Sequence, residues 1–282
     1  TLNANGEEYD NNVKQQIENR MKMQINTSVS NKEYKKTVSK IEGKNGQYND
    51  PDYNSKTDKN SFTQSYWKRM EDVYHEKMFD SKKPFNPNMI KQGSIGDCYL
   101  ISSMVAISKA TKLVENIFSD PINNNAGMRC VNFNIMGKVV PVIVDTTIPF
   151  NGESEYALPI GCKPVTKEDQ WWATIIEKAY AKQYGSYKSI IGGNCHIAMY
   201  RMVGGFPVQY DMTDMKTKEM VMNGSMWKML LKWHNQGNFI CSGSKSGSDQ
   251  NKTPQGINYG HAYTVLRIVK VQGNKLMQLR NP

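Results

Sequence analysis

The chain has 282 residues, more than one compact core usually holds, so one large domain or two packed lobes is the expectation. Hydrophobic residues, seventeen methionines among them, make up 38%, enough apolar surface for a sizeable interior and against a disordered chain. A net charge of +10 is scattered along the sequence rather than gathered into a block, which argues against nucleic-acid binding. No run approaches the roughly eighteen apolar residues of a membrane span, and the start lacks a basic-then-apolar leader.

Residues 1 to about 45 are polar and poor in clustered hydrophobes, and read as a largely irregular N-terminal extension, with one short helix expected over Val13 to Met23. From Ser61 the apolar density rises. Phe62, Tyr66, Trp67, Met70, Val73 and Tyr74 recur at helical spacing and predict a helix or helical turn. Between Pro84 and Gly96 prolines and glycines predict a loop, which gives way at Cys98 to an apolar helix through Leu100, Ile101, Met104, Val105 and Ile107. Val131 to Ile135 and Lys138 to Val144 predict a hairpin turning at Met136 and Gly137. Thr166 and Asp169, ahead of Trp171, Trp172, Ile175, Ile176, Ala179 and Tyr180, resemble a capping box feeding a helix that stops at Gly185.

The glycine pairs Gly192-Gly193 and Gly204-Gly205 mark the expected handover between lobes, dividing the chain into 46-204 and 205-282. Within 205-282 a single helix is predicted over Ser225 to His234. Strands are predicted over Phe206 to Tyr210, Asn238 to Cys241, Ala262 to Val271 and Lys275 to Arg280, so that lobe should be mainly β. A long loop from Ser242 to Gly260 precedes His261, and loops of that length are more often functional than idle. The chain starts at Thr1 and ends at Pro282 directly after a strand, so it is expected to be a piece of something longer.

Five widely spaced cysteines with no Cys-x-x-Cys pair predict free thiols and a reducing compartment. Cys98 stands out because a helix start favours the thiolate, although a cysteine beside a helix can equally be a small buried hydrophobe. Gln92 lies six residues upstream, with Gly93 and Gly96 allowing the loop to bend back. Its amide and a backbone N-H could together form an oxyanion hole. Of four histidines, His75 and His234 fall on expected helix faces and His196 in a glycine-rich connection, whereas His261 follows Gly260 and opens a strand. Asn281 could orient its ring. Yet a two-residue turn at Gly273-Asn274 would set Asn281 opposite Leu266 on the wrong face, so a bulge or longer loop is needed.

Several segments together resemble the calpain family, cysteine proteases with a two-lobed papain-like core. They include Tyr48-Asn49-Asp50-Pro51-Asp52-Tyr53, Trp67-Lys68-Arg69, Gln92-Gly93-Ser94-Ile95-Gly96-Asp97-Cys98-Tyr99-Leu100 and Val142-Ile143-Val144-Asp145. Trp172 to Lys182, Gly260-His261-Ala262-Tyr263 and Arg280-Asn281-Pro282 extend the match in the same order. The resemblance implies an α+β fold with a helical nucleophile lobe and an antiparallel β-rich second lobe, incomplete at its C-terminal end. It implies a Cys98, His261 and Asn281 triad, an oxyanion hole at Gln92 and the Cys98 amide, and Gly193 and Gly260 lining the substrate cleft. It also implies a cytoplasmic endopeptidase acting on protein or peptide substrates, with further domains or protein partners. No cofactor is required for that chemistry. Calcium would be a regulator, but the family's acidic ligands in the first lobe are replaced by Met89 and Gln170, so that site is expected to be lost. The competing readings are an inactive or latent calpain-like scaffold and a basic nucleic-acid-binding protein.

Overall fold

In the computed structural model the residues described are 31–58, 61–80, 82–83, 87–119 and 122–282. The expected helix over Val13 to Met23 lies outside them. The principal core is built around two helices that are buried on every side. Helix α3 (Cys98–Ile107) has each residue from Tyr99 to Ile107 buried, and α5 (Trp172–Tyr184) buries Trp172 through Ala181. For reference, α1 is Asn31–Glu42, α2 Met70–Val73 and α4 Thr111–Ile117. The hairpin of β3 (Met128–Ile135) and β4 (Lys138–Asp145) closes this core, turning at Met136 and Gly137 as expected, both at positive φ. Helix α6 (Cys195–Val203) packs on α3 and β3.

α5 begins at Trp172. The box of Thr166 and Asp169 does form, with the Thr166 N-H donating to Asp169 Oδ2 at 2.8 Å, but it closes a turn ahead of the helix. The C-terminal stop is as read, at Gly185 with φ 92°. Two basic residues of this helix lock the lobe from inside. Lys178 Nζ meets Asp145 Oδ1 at 2.5 Å and Lys182 Nζ meets Asp50 Oδ2 at 2.7 Å. Burial works to raise the Asp145 carboxyl, but the Lys178 charge overrides it and holds the group below its ordinary value.

Three elements differ from expectation. Residues 66–69 form a strand, β1 (Tyr66–Arg69), antiparallel to β5 (Thr147–Phe150), and only Met70–Val73 is helical. Tertiary pairing overrides the helical spacing, and Arg69 fixes the strand by donating to Tyr48 O at 2.6 Å. The polar extension is not irregular throughout. Helix α1 lays Tyr34 and Val38 against Ala126, Met128, Cys130 and Ile143, a small second core on the far side of the hairpin. Phe206 to Tyr210 is not a strand, and Phe206 is 93% exposed.

Short strands β2 (Ile90–Lys91) and β6 (Lys163–Pro164) pair below the loop leading to Cys98. The second lobe is an antiparallel sheet in the order β7 (Cys241–Gly243), β8 (Ala262–Val271), β9 (Asn274–Arg280). It is less purely β than expected, since α7 (Met215–Met222) and α8 (Ser225–Asn235) precede the sheet. Asp214 caps α7 by accepting the Thr217 N-H at 3.0 Å, a signal hidden in a polar stretch. No helix among the described residues is long and apolar enough to cross a membrane.

Candidate active site

Helix α3, headed by Cys98, and strand β8, which follows His261, touch directly. Ser102 Oγ donates to Ala262 O at 3.2 Å, and Thr264 Oγ1 donates to Ser102 O at 2.7 Å. Cys98 opens α3, where the Asp97 carbonyl accepts the Leu100 and Ile101 N-H groups and so starts the helix at that residue. Its thiol receives the backbone N-H of Ala262, the residue after His261. Burial pushes the Cys98 thiol up from its ordinary value, while the Ala262 N-H works in the opposite direction.

His261 and Asn281 meet across the β8–β9 end. His261 Nε2 lies 2.7 Å from Asn281 Oδ1. An amide carbonyl only accepts, so Nε2 is the nitrogen that donates, and in a neutral ring Nδ1 is then the basic nitrogen. That Nδ1 is buried and has no hydrogen-bond partner. The histidine backbone is pinned by Ser244, whose Oγ accepts the His261 N-H at 2.9 Å and whose N-H donates to His261 O at 2.9 Å. Its ring stands edge-on to Tyr263, with centroids 5.1 Å apart.

The register explains how Asn281 arrives. The hairpin turn is Gln272-Gly273, both at positive φ, one residue earlier than the expected Gly273-Asn274. A bulge then falls between Val265 and Arg267, after which Thr264 faces Arg280. Continuing that register places Asn281 across from Tyr263, on the face that His261 shares by the two-residue alternation. The bulge required by the register argument is therefore present, at Leu266.

Gln92, Gly93, His261 and Asn281 share one open cavity of about 330 Å3, closed on its other side by the loop residues Asp249 and Asn258. Cys98, Gly193 and Gly260 do not line it. Gln92 Nε2 donates one hydrogen to Ile95 O at 2.7 Å, leaving its second N-H for another acceptor. At both glycines the missing Cβ is required by the protein itself. A Cβ on Gly193 would lie 2.5 Å from the Tyr99 ring, and one on Gly260, at φ 55°, would run into the Gly247 carbonyl.

Behind Cys98 lies a feature that sequence reasoning missed. Asp97 and Glu177 are both fully buried with their carboxyls against each other, and neither Asp97 oxygen nor Glu177 Oε2 has any other hydrogen-bond partner. Glu177 Oε1 accepts the Cys162 N-H at 2.7 Å. Two carboxyls can bond only when one holds a proton, and burial with the Asp97 charge raises Glu177 well above its ordinary value, making it the proton carrier. Burial pushes Asp97 up to about 7, against the bond it receives from Glu177. The signal was available in the Gly-Asp-Cys segment, where an acid sits beside a buried helix start.

Met89 and Gln170, where the resemblance implied a lost calcium site, are also defined. Gln170 is buried and its Oε1 accepts the Asp80 N-H at 2.7 Å, while the Met89 carbonyl accepts the Val165 N-H at 3.2 Å.

An α+β core that brings a cysteine-headed helix against a strand headed by histidine is the architecture of a cysteine protease domain. The family model for calpain family cysteine proteases matches residues 46–282, and the chain belongs to that family. It is 33% identical over 223 residues to the calpain-type cysteine protease DEK1 of Arabidopsis thaliana, covering 77% of this chain and 10% of that protein. It is 34% identical over 197 residues to the DEK1 protein of Zea mays, covering 70% of this chain and 9% of the relative. Against Calpain-A of Drosophila melanogaster the identity is 29% over 212 residues, or 68% of this chain and 23% of the relative. The chain thus spans a tenth to a quarter of the length of these relatives.

Proposed function

We propose that this chain is the catalytic core of an endopeptidase that cleaves protein substrates, with Cys98 as nucleophile, His261 as base and Asn281 as the residue that orients the base. The observation that carries the reading is the 2.7 Å contact between His261 Nε2 and Asn281 Oδ1, which leaves Nδ1 unprotonated and unpartnered beside the strand that Cys98 touches. In this mechanism Nδ1 takes the thiol proton and the thiolate attacks the scissile carbonyl. The oxyanion is met by the second Gln92 N-H and the Cys98 amide, each donor worth about 3 kcal/mol of barrier. The imidazolium, held by Asn281, then protonates the leaving amine, and water activated by the neutral imidazole hydrolyses the thioester. Gly193 and Gly260 border the route of an extended substrate. Labelling of the full-length protein by a thiol-directed peptide probe tests this: wild type should react and Cys98→Ser should not.

A latent form of the same core is favoured by one observation, the burial that pushes the Cys98 thiol up and keeps it out of the cavity holding His261. An absence of labelling under every condition, with the protein folded, would assign the chain to a scaffold role instead. We further infer that the first lobe holds no calcium at the Met89 and Gln170 positions. A thioether is a poor ligand for a hard cation, and the nearby oxygens of Gln170 and Met89 are already engaged by N-H groups. Calorimetric titration showing stoichiometric micromolar binding that Gln170→Ala removes would overturn this.

A further inference from the structure

Two cysteines that the proposed chemistry leaves unused converge on the nucleophile helix from opposite lobes. Cys195 is the first residue of α6, and its carbonyl accepts the Ser103 hydroxyl at 3.1 Å. Cys241 sits on β7 directly across from Thr264, whose hydroxyl is bonded to Ser102, the neighbouring position on α3. The two thiols hydrogen-bond to each other, and the Ser103 hydroxyl reaches both. Both cysteines are free and neither residue is fully buried.

We propose that Cys195 and Cys241 form a redox-responsive pair, oxidised to a disulfide by a peroxide and reopened by a thiol reductant, which clamps the first lobe to the second behind α3. The assignment of chemistry follows from the contact. The Cys241 S-H is the donor to the Cys195 sulfur, so Cys195 is held below its ordinary thiol value first by that bond and Cys241 well above. Cys195 also opens α6, where a helix start favours the thiolate, so it is the sulfur that ionises and reacts first. Its thiolate attacks one oxygen of hydrogen peroxide, breaking the O–O bond to give a sulfenic acid and hydroxide, which takes up a proton as water. The Cys241 sulfur then displaces the sulfenic oxygen as a second water. Two thiols and one peroxide become one disulfide and two waters, with two electrons passed to the peroxide. A small thiol reverses the step by exchange.

The bond would close a loop containing α7 and α8, elements with one buried residue each, and would remove much of their freedom in the unfolded chain. It leaves Cys98 untouched, so the inference stands or falls independently of the proteolytic reading. The test is peptide mapping of the full-length protein after treatment with one equivalent of hydrogen peroxide and blocking of remaining thiols. A Cys195–Cys241 linkage is expected, with a rise of several degrees in the thermal midpoint that dithiothreitol reverses. Cys241→Ser should abolish both. Oxidation confined to Cys98, a Cys98–Cys195 linkage, or two unlinked thiols that still alkylate after peroxide would each overturn the proposal. Mapping on the wild-type chain keeps the test decisive even if Cys241→Ser misfolds.

Discussion

The two arms of the candidate site are held by different physics. The nucleophile arm is fixed by burial: α3 has nine consecutive buried residues, and α5 beneath it carries Lys178 and Glu177 wholly inside the protein. The histidine arm is fixed by a handful of directed bonds, since β9 has no buried residue and His261 depends on Ser244 and Asn281. Damage to the first arm should therefore be felt as lost stability, and damage to the second as lost reactivity with the fold intact. Asp145→Ala probes the first claim hardest. It strands Lys178, whose side chain is 0% exposed, without its anion, and losing one partner of a buried pair costs about 3 to 5 kcal/mol. Chemical denaturation should show that loss, and a change below about 1 kcal/mol would mean the pair is not the anchor described.

Gly193→Ala sharpens the comparison at the seam between the arms. The new methyl would lie 2.5 Å from the Tyr99 ring, which is itself locked in the core. Overpacking of that kind costs about 1 to 3 kcal/mol. A lowered thermal midpoint is expected, restored partially by Tyr99→Leu, whereas a substrate role alone would leave the midpoint unchanged and slow only catalysis.

The Asp97 and Glu177 pair turns the same contrast into a pH dependence. Both carboxyls sit above their ordinary values in the folded protein, so between about pH 4 and pH 7 the native chain binds more protons than the unfolded one. Stability contributed by the pair is complete below the unfolded values and falls as pH rises, by about 1.4 kcal/mol per pH unit for each proton retained. The titratable groups facing the pair are the Cys162 and Cys98 thiols and the Tyr187, Tyr53 and Tyr99 hydroxyls, all pushed up by burial and neutral across that window. Arg280, which faces Cys162, keeps its charge there. Glu177→Gln supplies an amide donor to Asp97 without a titrating proton, so it should flatten the decline in midpoint between pH 5 and 7; an unchanged slope would place the proton elsewhere.

The same division decided what the sequence made legible. Elements held by burial announced themselves: α3 through its apolar run from Leu100, α5 through its tryptophans and Gly185, and the hairpin at Met136-Gly137. Cys98, His261 and Gln92 stood out as candidates from position and company, and their proposed roles await the tests above. What tertiary partners decided was not. β1 reads as helix until β5 is there to pair with it, and α1 reads as loop because Tyr34 and Val38 supply its whole buried face. Asn281 was reachable only through a bulge at Leu266, and no residue type marks a bulge in advance. The Asp97–Glu177 bond joins residues eighty positions apart, beyond the range of any local pattern.

Asn281→Ala tests the histidine arm with the smallest expected change. The side chain is exposed and bonds to His261 Nε2 at 2.7 Å, so its loss removes orientation without opening the core. A hydrogen bond of this type is worth about 1 kcal/mol, which corresponds to about fivefold in kcat for peptide hydrolysis by the full-length protein. The thermal midpoint should stay within about a degree, because a surface bond of this size is a small fraction of the total. The pH profile separates orientation from mere packing. Without Asn281 to hold the Nε2 proton, the imidazolium formed during the reaction loses its acceptor, and the acid limb of the profile, below which the base is protonated, should move to lower pH. A fivefold loss with no movement of that limb would leave Asn281 as a spacer at the end of β9, and the Ser244 bonds to the His261 backbone would then be what fixes the histidine.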